Sequence, residues 1–184
     1  MELVERKVLS MTPEEISALP PLTDHDFYVI GALIQTYNFV DLNVRRALEI
    51  FGASSLTSKK NLMSAGDFDV LRAAKHVIVE NKIPTVGLMD ANLAFEILEY
   101  GKQFRNLAAH GAGKGFPTEN VIVFASRNDR DAKQTIGKKL DLQRVTLAVM
   151  DRRIFINLVQ ETVRCSDWLA SQVPYWSDRY LPKA

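Results

Sequence analysis

Residues 90–111 read DANLAFEILEYGKQFRNLAAHG, an apolar helical pattern that closes on a glycine. Leu93, Ala94, Ile97, Leu98, Gly101, Phe104, Leu107 and Ala108 recur at the three- and four-residue steps that line one face of an α-helix. Gly101 inside that stripe suits the close approach of another helix, at some cost in helix propensity. Gly111 is expected to stop the helix in the left-handed conformation. The polar residues of the last turns, Arg105, Asn106 and His110, leave the apolar face. An Arg carries a permanent charge and a fork of donors suited to phosphate, and a His exchanges a proton near neutral pH. The structural alternative is that both side chains simply answer the free carbonyls of the helix end.

Upstream, Thr12-Pro13-Glu14-Glu15 is a helix start with a cap, a proline at the first helical position and a glutamate three residues after the cap; Pro20-Pro21 stops that helix. Thr23-Asp24-His25-Asp26 repeats the capping pattern and opens a long helix to about Phe51. Its stripe is Phe27, Ile30, Ile34, Tyr37, Val44, Leu48 and Phe51, with Asp41 where a hydrophobe belongs. A bare buried carboxylate costs several kcal/mol, so Asp41 predicts a cation from a neighbouring helix, or else pairs with Arg45 one turn on along its own helix. A Ser/Gly-rich connection over 52–66 precedes a helix from Phe68 to about Glu80, which Asn81-Lys82-Ile83-Pro84 ends.

Downstream, Gly111-Ala112-Gly113-Lys114-Gly115 lacks the Lys-Ser/Thr pair of a phosphate loop and follows a helix instead of a strand, so a flexible turn is expected. Val121-Ile122-Val123-Phe124 reads as a strand, paired across Asn128-Asp129 with Gln134-Thr135-Ile136. Asp141 caps a last helix to about Val173, which Pro174 ends. The fold expected is all-α: one domain over 1–184, a bundle of about five helices with a small β-hairpin insertion near 120–137.

Composition agrees with a globular chain. Of 184 residues, 47% are hydrophobic and 24% charged. No run has the length of a membrane span, and the first residues lack a secretory signal, so a cytoplasmic protein that does not enter membranes is expected. Residues 101–153 hold eleven Lys/Arg and five Asp/Glu, a net of +6, while the remainder holds twelve and seventeen, a net of −5. A basic stretch around Arg105 and His110 is compatible with a polyanion, and Lys102, Lys114, Arg127 and Arg130 are candidate contacts to it. His25, His76 and His110 lie on separate segments with a single Cys165, which gives no metal-ligand spacing, and no cofactor motif is present. Cys165 is expected to serve packing.

What remains is phosphate chemistry. RNA brings its own nucleophile, the 2′-OH, so a metal-free ribonuclease needs proton transfer, here from His110, and charge stabilisation at phosphorus, here from Arg105. Asn106 is placed to hold a ribose hydroxyl or to orient the His. Residues five apart on an α-helix are rotated by about 140°. Either the helix unwinds at Ala109-His110-Gly111, or the cleft takes its pieces from two subunits.

Arg105-Asn106-Leu107-Ala108-Ala109-His110 resembles the motif of the HEPN superfamily, in which an Arg, often followed by Asn, Asp or His, precedes a His by four to six residues. The resemblance implies a helical bundle that dimerises and, in many members, a metal-independent ribonuclease of toxin–antitoxin or defence systems. It implies Arg105, Asn106 and His110 as functional positions, RNA as substrate, a second copy of the chain as partner, and an antitoxin protein as a further one. Asp41, from the stripe, is the expected acid facing Arg105. A subgroup whose antitoxin modifies a Tyr two residues past the His is not matched, because that position is Ala112. The runner-up is a non-catalytic helical module that binds RNA, a nucleotide or a protein partner.

Overall fold

The computed structural model describes residues 2–53, 67–116, 120–126 and 146–181. Among them are six α-helices and one three-stranded sheet: α1 (Glu2–Leu9), α2 (Pro13–Ser17), α3 (Asp24–Ala53), α4 (Asp67–Lys75), α5 (Ala91–His110), β1 (Ala112–Phe116), β2 (Val121–Ser126), β3 (Thr146–Asp151) and α6 (Arg152–Tyr180). Residues 76–80 extend α4 as a π-helical turn. The chain is mainly helical, and none of the described helices is long and apolar enough to cross a membrane. It forms two compact units, residues 1–34 with 101–160 and residues 35–100 with 161–184, so α3, α5 and α6 each contribute to both.

Caps set the helix starts. The Thr12 hydroxyl accepts from the Glu15 N–H at 3.2 Å, and the Glu15 carboxylate accepts from the Thr12 N–H at 2.7 Å, with Pro13 in the first turn. At α3 the same box is built with an aspartate: Asp26 accepts from the Thr23 N–H at 2.9 Å and gives its own N–H to the Thr23 hydroxyl at 3.2 Å. Asp90 accepts from the Leu93 N–H at 2.8 Å and starts α5. The limits expected for α3 and α5 therefore agree with the structure to within two residues.

The sheet departs from the expected hairpin. β2 forms where the composition placed a strand, but its partners are β1 and β3, both antiparallel, in the order β1-β2-β3. Gln134-Thr135-Ile136 lies outside the described residues. Phe116 pairs with Val121, and Val121 in turn with Asp151. In the first unit Val4, Val8, Leu19, Phe116, Val121 and Val123 form one core cluster, which explains why α1 forms at all: Val4 and Val8 are one turn apart.

Two expectations for the last helix are corrected. Thr146–Asp151, expected within its first turns, is strand β3, so α6 starts at Arg152. A short apolar run fits either period, and the tie is broken by the paired backbone of β2. Pro174 does not end α6 but sits inside it. Pro174 and Ala170, the residue whose carbonyl loses its donor, are both exposed, so water can take that carbonyl. Beyond the proline, Trp176 is fully buried, its ring 5.2 Å from Phe51 and its indole N–H donating to the Pro84 carbonyl at 2.9 Å. Burying about 150–250 Å² of aromatic surface returns roughly 4–6 kcal/mol, more than the ~3 kcal/mol that a proline costs in a helix interior. The anchorage of Trp176 therefore carries the helix through the proline.

Candidate functional site

The buried positions Ala94, Leu98 and Gly101 step along α5 by four and three residues. The next step of four lands on Arg105. Arg105 therefore prolongs the buried face of α5 instead of leaving it, and the side chain is half-buried. Its Nη1 donates to the Asn106 side-chain oxygen at 3.1 Å. Its Nε is shielded from solvent and has no acceptor among the described residues. Burying such a donor unsatisfied costs about 1–3 kcal/mol or more for a charged group, which marks it as a place where an acceptor is wanted. Asn106, expected to serve a ribose or the His, has its carbonyl oxygen on Arg105.

The helix does not unwind before its end. α5 runs to His110, and the Gly111 N–H closes the last turn on the Leu107 carbonyl at 2.7 Å. Positions 105 and 110 thus keep the rotation of about 140° that an α-helix gives them. The His110 imidazole lies outside the described side chains. Gly111 stops the helix, but not by a left-handed turn, since its φ is not positive. It is needed for room: a Cβ there would stand 2.6 Å from the Leu107 oxygen and 3.2 Å from the Ala125 oxygen.

The glycines at 113 and 115 have the same explanation, and the expected flexible turn is in fact strand β1. A Cβ on Gly113 would meet the Leu22 side chain at 2.5 Å, and one on Gly115 the Arg152 guanidinium at 3.1 Å. The alternation of glycines is the trace of a strand pressed against its neighbours. Lys114 between them donates to the Ser17 carbonyl at 3.0 Å, at the end of α2. Lys102, the first of the candidate contacts to a polyanion, is only 6% exposed. Arg127 and Arg130 lie outside the described residues.

Asp41 is a third exposed and bonds Arg45 of its own helix at 2.8 Å. Of the two partners its position allowed, the structure gives it the local one. The acid in the buried stripe of α3 is instead Asp26, 2% exposed, whereas Phe27, assigned to that stripe, is 59% exposed. Asp26 receives Arg152 Nε at 2.8 Å and Nη2 at 3.1 Å, a two-point bond that joins the start of α6 to the start of α3. Burial raises the Asp26 pKa, but the bonds from Arg152 and Thr23 and the Arg152 charge outweigh it and leave the group below its ordinary value. The sequence did carry a signal: Asp26, Ile30, Leu33, Tyr37, Val40 and Val44 follow one helical stripe. The place of Asp26 in the capping box of α3 masks that signal.

Cys165 is fully buried, and burial first, with the charge of Glu161 second, pushes its thiol up to about 11. That agrees with a packing role and not with a nucleophile. His76 is exposed and bonded to Glu80 at 2.8 Å. No family model, curated protein or solved structure matches this chain.

Proposed function

We propose that this chain is a metal-independent endoribonuclease of the HEPN kind, acting as a homodimer in a toxin or defence setting. The observation that carries the reading is the state of Arg105: a half-buried residue, tied through Nη1 to Asn106, whose shielded Nε has no acceptor among the described residues. The fork of guanidinium donors suits a phosphate oxygen, which Nε itself meets only when the side chain moves to uncover it. In this reading Arg105 stabilises the charge that develops on the phosphorane, Asn106 orients Arg105, and His110 moves the proton between the 2′-OH and the leaving oxygen. Because α5 stays helical to its end, Arg105 and His110 act across a two-fold axis, each cleft joining residues of two subunits. Asp41, already bonded to Arg45, has no part in the chemistry.

The test uses purified protein and single-stranded RNA in EDTA. Cutting is expected, and His110→Ala is expected to remove it while the helical spectrum is kept. RNA that is bound with steep salt dependence but never cut, by wild type and variant alike, would instead make the chain a binding module.

A further inference from the structure

The geometry points to Gly111 as a positioning residue for His110, an inference that rests on the assignment of His110 as the proton carrier. Residue 110 is the last residue of α5 and residue 112 the first of β1. Between them the chain is held from both sides. The Gly111 N–H is bonded to the Leu107 carbonyl at 2.7 Å, and Ala112 already stands opposite Ala125 in the sheet. The two atoms that a Cβ on Gly111 would strike, the Leu107 oxygen at 2.6 Å and the Ala125 oxygen at 3.2 Å, are both backbone. One is the acceptor closing the last helical turn, and the other belongs to β2. Neither can step aside by a change of rotamer, so relief needs a backbone shift, and we place that shift in residues 110–112, the link between α5 and β1. That displacement moves the Cα from which the imidazole hangs.

Gly113 is the internal comparison. A Cβ there meets the Leu22 side chain at 2.5 Å, a closer encounter but with a flexible neighbour. Gly113 lies inside β1 and its clash is with Leu22, whereas Gly111 is the neighbour of His110 and its clash is with backbone.

Histidine labelled with 13C gives three ring resonances, with that of His110 assigned by its loss in His110→Ala. Gly111→Ala is expected to shift the His110 resonance and leave those of His25 and His76 in place, whereas Gly113→Ala leaves all three. A folded Gly111→Ala protein with His110 unmoved overturns the inference. If Gly111→Ala does not fold, Ala112→Gly loosens the same junction without added bulk. It is expected to move the His110 resonance too, and an unchanged resonance again overturns the inference. In single-turnover cleavage Gly111→Ala is expected to lose about 100-fold in rate, the scale of a 1 Å misplacement, with RNA affinity within about twofold of wild type. Gly113→Ala keeps the wild-type rate per folded molecule. A wild-type protein that binds RNA without cutting it removes the nuclease reading alone, and the resonances still decide the role of Gly111.

Discussion

Two arginines with opposite circumstances define the residue scale. Arg152 is fully engaged with a buried partner, while Arg105 keeps a shielded donor without one among the described residues. Removing the Asp26 carboxylate strands Arg152, and Asp26→Asn is expected to cost about 3–5 kcal/mol in urea unfolding. Replacing both partners by hydrophobes, as in Asp26→Leu with Arg152→Met, is expected to recover much of that loss. Because the folded Asp26 has a lowered pKa, its contribution is complete above the unfolded value of about 3.9 and disappears as the pH falls below it through the folded value. The difference in stability between wild type and Asp26→Asn should therefore hold at neutral pH and shrink towards pH 2. Asp41→Asn, by contrast, breaks an ion pair exposed by about a third, and a change under about 1 kcal/mol is expected. For Arg105 the expected loss is catalytic: Arg105→Ala should lower kcat by roughly 10²–10³-fold, as removal of a donor to a developing charge does. Asn106→Asp, which keeps an acceptor for Nη1, should retain more activity than Asn106→Ala.

At the scale of elements, the features legible in the chain were those that local chemistry decides. Thr12, Thr23 and Asp90 each take one free N–H of a first turn within three residues along the chain, so three helix starts were legible. The strand at Val121 was legible from its β-branched run. β1 was not, because Gly113 and Gly115 have no side chains to show a period, and their strand character comes from Leu22, Arg152 and β2 pressing on them. β3 was hidden by an apolar run that suits a helix equally well until β2 is laid beside it. Pro174 misled for the same kind of reason, since the burial of Trp176 two residues later outweighs a local preference. Pro174→Ala is accordingly expected to raise stability by roughly 1–3 kcal/mol, and Trp176→Ala to cost about 3–5 kcal/mol, both read from the urea midpoint.

On the scale of the whole molecule, the charge asymmetry of the sequence is reduced by folding. The described residues of 101–153 share a compact unit with residues 2–34, which hold two Lys/Arg and six Asp/Glu and so offset its positive charge. With Lys102 buried and Lys114 given to Ser17, Arg127 and Arg130 are the remaining candidates for the proposed contact to RNA. Replacing both with Ala should weaken RNA binding for all sequences alike and reduce the dependence on salt by about one unit of slope per lost phosphate contact. In the proposed nuclease the cleft belongs to the assembly, because α5 is unbroken and positions 105 and 110 stand about 140° apart around its axis. This shared cleft is tested most directly by mixing two inactive proteins, Arg105→Ala and His110→Ala, after dissociation and reassembly, and following RNA cleavage in EDTA. Half of the assembled dimers then contain one cleft with an intact Arg105 from one subunit and an intact His110 from the other, and recovery to about a quarter of wild-type activity is expected. A mixture that forms mixed dimers and stays as inactive as its components would contradict the shared cleft.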